Sequence, residues 1–157
     1  MRTVFFHKVD EPNGYLSNFY PSEFCLDGNV FSCAEQFLMW SKAKLFKDDV
    51  TAEMILQEAD PDKIKALGRS VKGYKDSYWA AERYEVMKKG LTAKFKQNKE
   101  LKKKLLASSG QFAECAKNDL VWGIGLAMDD PGRIDQTQWK GRNLLGFALR
   151  DVYNELK

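Results

Sequence analysis

The sequence of 157 residues lacks the features that mark several large classes of protein. Its three cysteines are odd in number and, with the single histidine, have no paired metal-ligand spacing, so neither a disulfide framework nor a zinc site is indicated. No apolar run approaches the roughly 20 residues that cross a bilayer, and no secretory signal pattern opens the chain. We therefore expect a cytoplasmic protein with no membrane association, no bound metal and no cofactor.

Charge of one sign is also missing, because 25 basic residues face 22 acidic ones and leave a net charge of +3. Such a balance does not predict a nucleic-acid groove. The densest basic run alternates with apolar residues, which is typical of the solvated side of an amphipathic helix rather than of a phosphate-backbone footprint. Its members are Lys94, Lys96, Lys99, Lys102, Lys103 and Lys104.

The patterns that are present predict one mainly α domain spanning residues 1–157, with a small N-terminal β element. A short strand at 3–7 and a hairpin around Asp27-Gly28-Asn29 precede the helices. Helices are predicted from about 33 to 46, 49 to 58, 61 to 68, 76 to 97, 98 to 107 and 143 to 156, and a short strand at 112–115. Asp60 is the predicted N-cap of the third helix and Gly68 its C-terminal glycine.

The helix near residue 35 carries one carboxylate and one amine among apolar side chains. Glu35 and Lys42 are seven residues apart, close to two helical turns, so they share a face about 10 Å apart along the axis. Two interpretations of each remain open. Glu35 either forms a capping box with Ser32 or acts chemically, and Lys42 is either an amine that snorkels to the helix edge or a functional group.

Aromatic, glycine and arginine residues further along are ambiguous in the same way. Trp79 and Trp122 either line a pocket for a ring-bearing ligand or belong to the core. Gly123 after Trp122 either permits close approach of a ligand to the backbone or forms a tight turn, and Asp119 supplies a carboxylate just before it. Arg69 and Arg83 either clamp phosphate or form surface ion pairs.

Several segments, taken together and in this order, resemble the NADAR family, which is named for NAD and ADP-ribose. The segments are Leu16-Ser17-Asn18-Phe19, Ala34-Glu35-Gln36-Phe37 running on to Lys42-Ala43, Leu67-Gly68-Arg69, Trp79, Asn118-Asp119 with Trp122-Gly123, and Gly141-Arg142-Asn143-Leu144-Leu145-Gly146. The resemblance spans nearly the whole chain. It implies a compact, mainly helical fold, a pocket for ribose phosphate or ADP-ribose, and no metal.

The resemblance also implies roles for particular residues. Glu35, Lys42 and Asp119 are the expected catalytic residues. The expected substrate-binding residues are Asn18, Phe19, Arg69, Trp79, Trp122, Gly123 and Asn143. This chain has Gln36 and Phe37 where many relatives have a histidine and a tyrosine. Because contact of these side chains with the base is one option, the resemblance does not fix the substrate preference.

The function implied is an N-glycosidase that cuts the C1–N bond between a ribose phosphate and an exocyclic amine of a pyrimidine intermediate of riboflavin synthesis. The alternatives are a hydrolase that removes ADP-ribose from guanine bases, with nucleic acid only as the modified substrate, and a binding module for ADP-ribose or a nucleotide. An interaction protein that displays the lysine-rich helix ranks last. The sequence does not indicate an oligomeric state.

Overall fold

The computed structural model describes residues 2–157, in which helices predominate. The strands are β1 (Val4–Phe6), β2 (Phe24–Leu26), β3 (Asn29–Phe31) and β4 (Phe112–Glu114). The α-helices are α1 (Ala34–Leu45), α2 (Asp49–Leu56), α3 (Pro61–Arg69), α4 (Asp76–Gln97), α5 (Lys99–Ala107) and α6 (Leu144–Leu156). Short 3-10 turns lie at Gly14–Leu16, Pro131–Ile134 and Gln136–Gln138. The prediction of a mainly α chain with small β elements is confirmed.

The chain forms two compact units. We call residues 21–98 the helical unit, and residues 2–20 with 99–157 the terminal unit. Each is described by itself, and a single domain over residues 1–157 stays a prediction. No helix within residues 2–157 is long and apolar enough to span a membrane.

The helical unit begins with the predicted hairpin. Asp27 and Gly28 both have positive φ, 50° and 80°, which is the backbone of a two-residue turn between β2 and β3. Phe24 pairs with Phe31 across the hairpin, and both rings pack against Phe37 of α1, with centroids 6.3 and 5.1 Å away. This aromatic cluster anchors the hairpin to the helix that carries Glu35 and Lys42.

Helix α1 packs closely against α3 and α4 because glycines face it. A Cβ on Gly68 would lie 2.0 Å from Met39 Sδ, and one on Gly90 would lie 2.8 Å from the Phe37 ring. Gly68 was predicted to end α3, but α3 continues to Arg69, so that prediction is wrong. The glycine is selected by close helix packing rather than by a left-handed C-terminal turn.

Helices α2 and α3 start as the sequence predicts. Asp48 accepts a hydrogen bond from the Thr51 backbone N–H, and Asp60 accepts one from the Asp62 N–H. Asp48 also accepts a bond of 2.9 Å from the Lys72 N–H. These donors hold the pKa of the Asp48 carboxyl below its usual range and tie the segment before α4 to the start of α2.

In the terminal unit, β1 and β4 pair in parallel, with Val4 opposite Phe112. A buried cluster of Ala113, Cys115, Ile124 and Leu126 includes the middle residue of β4, and Phe5 of β1 packs against it. Burial raises the pKa of the Cys115 thiol to about 11.

The sequence predicts that the whole lysine run lies on a solvated helix face, but the structure shows this for only part of the run. Lys94 has 0% of its surface exposed, whereas Lys96, Lys99, Lys103 and Lys104 are exposed. Burial lowers the pKa of Lys94 to about 7. The prediction is therefore wrong for Lys94 and correct for those four lysines.

Candidate active site

Glu35 and Lys42 lie two turns apart on the unbroken helix α1. Glu35 is buried in its first turn, where the helix dipole favours a negative charge, and Lys42 is half-buried near its end. Burial lowers the pKa of Lys42, while the charge of Glu35 acts to raise it. A buried carboxylate and a partly desolvated amine on one helix are the groups that acid–base and nucleophilic catalysis require.

The start of α1 differs from the predicted capping box. The N-cap is Cys33, and no side chain caps the helix there. Gln36 Oε1, rather than Glu35, accepts hydrogen bonds of 2.7 and 3.1 Å from the backbone N–H and hydroxyl of Ser32. The capping-box interpretation of Ser32 with Glu35 is therefore wrong. The side chain that reaches back to the Ser32 backbone N–H is that of Gln36, one residue after Glu35.

The side chains of Gln36 and Phe37 are both buried. The Gln36 Nε2 donates to the carbonyls of Ile55 and Glu58, at 2.9 and 3.0 Å, and the residue is buried. Phe37 is buried in the aromatic cluster beneath the hairpin. The side chains of Gln36 and Phe37 thus join α1 to the end of α2 and to β2 and β3.

An aromatic face holds the Lys42 amine. Its Nζ lies 4.5 Å from the centroid of the Tyr74 ring, within range of a cation–π contact. Phe46, which follows α1, packs edge-on against the same ring at 5.3 Å. The Lys42 amine therefore lies against an aromatic platform, the Tyr74 ring with Phe46, at the edge of α1, and both interpretations of Lys42 stay predictions.

The Tyr74 hydroxyl and a buried arginine meet at one carboxylate. Tyr74 donates to Asp76 Oδ1 at 2.7 Å, and Arg83 Nη1 lies 3.9 Å from the same oxygen. Asp76 begins α4 and Arg83 follows two turns later on the same helix. Arg83 is buried, but its ion-pair partner is at the surface, since 74% of the Asp76 side chain is exposed. The Asp76 charge raises the pKa of Lys42, and Arg69 lowers it.

The sequence reasoning did not single out Tyr74 or Asp76. Two signals were available. Asp76 and Arg83 are seven residues apart, the same spacing that drew attention to Glu35 and Lys42 on α1. Tyr74 follows Gly73, whose φ of 78° turns the chain just before α4.

The helical unit also contains the predicted binding residues Arg69 and Trp79. Arg69 is exposed at the end of α3, near enough to Lys42 for its charge to act there. Trp79 is buried in the second turn of α4. The charges of Glu35 and Arg69 thus both act on the pKa of Lys42, Glu35 raising it and Arg69 lowering it.

The other six predicted site residues belong to the terminal unit. Asn18 is buried and Phe19 is half-buried, just after the 3-10 turn at Gly14–Leu16. The Phe19 N–H donates to Ser17 Oγ at 3.1 Å, which fixes this corner of the backbone.

Asp119, Trp122 and Gly123 form one tight loop. Asp119 Oδ1 accepts hydrogen bonds from the N–H groups of Val121 and Trp122, at 2.9 and 2.8 Å. A Cβ on Gly123 would lie 2.9 Å from the Ala116 Cβ and 3.0 Å from a backbone oxygen, so the close approach that selects glycine is to the protein itself. These contacts favour the tight-turn interpretation of Gly123.

Asn143 joins the start of α6 to β4. Its Nδ2 donates to the Phe112 carbonyl at 2.9 Å, and its Oδ1 accepts from the Glu114 N–H at 3.1 Å. The residue is wholly buried and has a left-handed φ of 53°. Its contacts are structural ones, and binding of substrate by this amide stays a prediction from the resemblance.

No group of three or more His, Cys, Asp or Glu side chains within residues 2–157 is arranged to hold a metal ion.

Comparison with known proteins identifies the family. The NADAR domain model matches residues 4–157. The "N-glycosidase R617" of Acanthamoeba polyphaga mimivirus is 33% identical over 161 residues, covering 97% of this chain and 95% of that protein. The "Riboflavin biosynthesis protein VVA0006" of Vibrio vulnificus is 30% identical, over 98% of this chain and 38% of that protein. The NMR structure of the E. coli protein YbiA superposes with a TM-score of 0.78 at 27% identity, over 99% of this chain and 86% of that one. The chain therefore belongs to the NADAR family.

Proposed function

We propose that this protein is an N-glycosidase that hydrolyses the C1–N bond between a ribose phosphate and an exocyclic amine of a pyrimidine intermediate of riboflavin synthesis. The observation that carries the proposal is the pairing on α1 of buried Glu35 with a Lys42 amine whose pKa is lowered by burial. The names of two relatives, an N-glycosidase and a riboflavin biosynthesis protein, support the reaction class and the substrate class.

The reaction requires an acid and a stabiliser of positive charge. Cleavage sends the electrons of the C1–N bond to nitrogen, which takes up a proton, and leaves an oxocarbenium-like carbon at C1. Glu35 would donate that proton or, as the carboxylate, stabilise the cation. Water then adds to C1, and the products are the free amine and the sugar phosphate.

Lys42 offers a second route through a covalent intermediate. If the sugar ring opens, C1 and the departing nitrogen form an iminium, which the neutral Lys42 amine can attack. The base amine leaves with the protons that balance the exchange, and Lys42 keeps C1 as an imine that water later hydrolyses. The lowered pKa of Lys42 favours this route, because a larger fraction of the amine is neutral at physiological pH.

Tyr74 would keep the protonated Lys42 amine in position until it loses its proton and attacks. Its ring lies beneath the Lys42 Nζ at 4.5 Å, and its hydroxyl is fixed by Asp76. An amine held in one direction loses less conformational entropy when it reacts than one on a free chain.

The remaining assignments are part of the proposal and follow from the family resemblance. Trp79 and Trp122 flank the base, Arg69 and Asn18 hold phosphate or ribose, and Asp119 positions water or a ribose hydroxyl. Phe19, Gly123 and Asn143 complete the predicted substrate-binding set. Asp119 Oδ1 already accepts hydrogen bonds from two backbone N–H groups, so the proposed contact with water or a ribose hydroxyl falls to Oδ2.

The proposal is tested by incubating the protein with a phosphoribosylaminopyrimidine and, separately, with an ADP-ribosylated guanine oligonucleotide, and measuring the sugar phosphate released. Release from the pyrimidine supports the proposal. Release from the oligonucleotide alone would show that the substrate is ADP-ribosyl guanine and not the pyrimidine intermediate. Binding of either compound without release would replace the enzyme by a binding module.

A further inference from the structure

Arg83 is a buried charge with weak compensation. It keeps 9% of its surface, and its buried Nε has no hydrogen-bond partner among residues 2–157. The carboxylate beside it, Asp76 Oδ1, is 3.9 Å from Nη1, which exceeds hydrogen-bond distance. A guanidinium has five N–H donors, and burying it without close acceptors costs folding free energy.

Asp76 cannot balance this charge well. Its side chain is 74% exposed, so water screens it. The same Oδ1 already accepts the hydroxyl of Tyr74 at 2.7 Å. The arrangement therefore leaves a positive potential at the guanidinium rather than a closed ion pair.

The charges of Arg83 and Arg69 act on the neighbouring groups Tyr74 and Lys42. Burial and the hydrogen bond to Asp76 raise the pKa of Tyr74, whose ring contacts Lys42, and the Arg83 charge opposes this rise. Burial lowers the pKa of Lys42, and the Arg69 charge adds to that effect. Glu35 and Asp76 are the acids whose charges act on Lys42 from α1 and α4. Charges of both signs thus act on Lys42 and Tyr74, and the buried Arg83 Nε is a donor without an acceptor among residues 2–157.

We propose that Arg83 is an anion-binding residue that receives the phosphate monoester of the substrate through its guanidinium, whose buried Nε has no hydrogen-bond partner among residues 2–157. The charge argument stands by itself, and the identity of the anion as a sugar phosphate rests on the proposed function. The planar fork of arginine matches two phosphate oxygens, and such charge-assisted bonds are stronger than neutral ones. In this proposal, the phosphate oxygens of the bound ligand supply the hydrogen-bond acceptor that the Arg83 Nε lacks among residues 2–157.

This assignment predicts that function and stability respond in opposite directions. Removing a structural ion-pair partner from a buried site destabilises a protein strongly, whereas replacing an uncompensated charge by an apolar side chain of similar volume is neutral or stabilising. Arg83→Met should therefore leave the unliganded protein as stable as the wild type, or more stable, while weakening phosphate binding by about 10- to 100-fold.

The experiment measures Tm without ligand and the Kd for ribose 5-phosphate, inorganic phosphate and ribose, by calorimetry at constant ionic strength. Arg150→Met is the matched control, because Arg150 has a carboxylate at a similar distance, 3.8 Å from Asp151, but 41% of its side chain is exposed. We expect the control to match the wild type in both measurements, and ribose to bind equally to all three proteins.

Retained phosphate affinity in Arg83→Met, or no phosphate binding by the wild type, would overturn the assignment. So would a large loss of stability in the variant, because it would show a structural partner. A measurement on the wild type covers the case of an unfolded variant: the NMR resonance of the Arg83 Nε–H should shift during titration with phosphate, and a constant resonance contradicts the proposal. Because binding is measured without bond cleavage, Arg83-dependent binding in a protein without glycosidase activity would refute the proposed function alone.

Discussion

Lys94 gives the sharpest prediction about stability. Its side chain is fully buried in α4, and burial lowers its pKa from 10.5 to about 7. Between these two values the unfolded chain holds a proton that the folded protein does not, so stability rises with pH. Unlike a lysine that gains an anionic partner, Lys94 costs most stability below pH 7 and least above pH 10.5.

The magnitude follows from the displacement of the pKa. One pH unit corresponds to 1.36 kcal/mol per proton, so the cost of Lys94 falls by about 2 kcal/mol between pH 7.5 and 9.0. Lys94→Met removes the titrating amine and keeps an unbranched side chain of similar length. The difference in unfolding free energy between variant and wild type should therefore shrink by about 2 kcal/mol across this range.

The assay is urea unfolding followed by tryptophan fluorescence at several pH values between 7.5 and 9.0. Packing changes caused by methionine do not depend on pH, and they cancel in the comparison. Tyr15 and Cys115, whose pKa values burial raises to about 12 and 11, titrate in both proteins and also cancel. Lys96→Met, at an exposed position two residues on, is the control and should show no change with pH. A constant difference between Lys94→Met and the wild type would refute the reasoning.

Three further predictions concern the aromatic platform, helix packing and the thiols. Tyr74→Leu should lower kcat 3- to 30-fold with little change in KM and reduce trapping of a Lys42 imine by borohydride, whereas Tyr74→Phe, which keeps the ring, should stay within about twofold. Tyr78→Leu is the control, because it removes a different exposed cation–π pair, 5.4 Å from Lys75 Nζ to the Tyr78 ring centroid. An equal loss in that variant would contradict a special role of Tyr74. Gly90→Ala should lower the free energy of unfolding by about 1–3 kcal/mol despite the better helix propensity of alanine, since its Cβ would lie 2.8 Å from a buried ring; thermal unfolding measures this, and a gain in Tm would contradict the packing. In the native protein a thiol reagent should modify only Cys25, the exposed cysteine, and modification of a second thiol before unfolding would show that burial does not protect the others.

The sequence predicted elements whose signals are local. Helix α4 runs over Asp76–Gln97, as its apolar spacing indicates, and α3 starts at Pro61 after the Asp60 cap. The turn at Asp27-Gly28 likewise depends on residues that tolerate positive φ. In each case the physical cause lies within a few residues of the element.

The sequence did not predict features that depend on partners far along the chain. Nothing local distinguishes Lys94 from Lys96, because the burial of one position in a charged run is decided by tertiary packing. Gly68 was mistaken for a helix end because its partner, Met39, lies on another helix.

The candidate site shows the same division. Spacing alone drew attention to Glu35 and Lys42, because both lie on one helix. The platform around Lys42 depends on Tyr74 and Asp76, which reach it from another part of the chain. A pattern search along one helix cannot find such contacts.

The most direct test of the account is the specificity constant of Glu35→Gln with a phosphoribosylaminopyrimidine. The matched control is Glu82→Gln, which removes an exposed carboxylate from α4. The account predicts that kcat/KM falls by about 100-fold or more in Glu35→Gln, because the acid and charge stabiliser is lost, and stays unchanged in the control. Release of sugar phosphate at the wild-type rate by Glu35→Gln would contradict it.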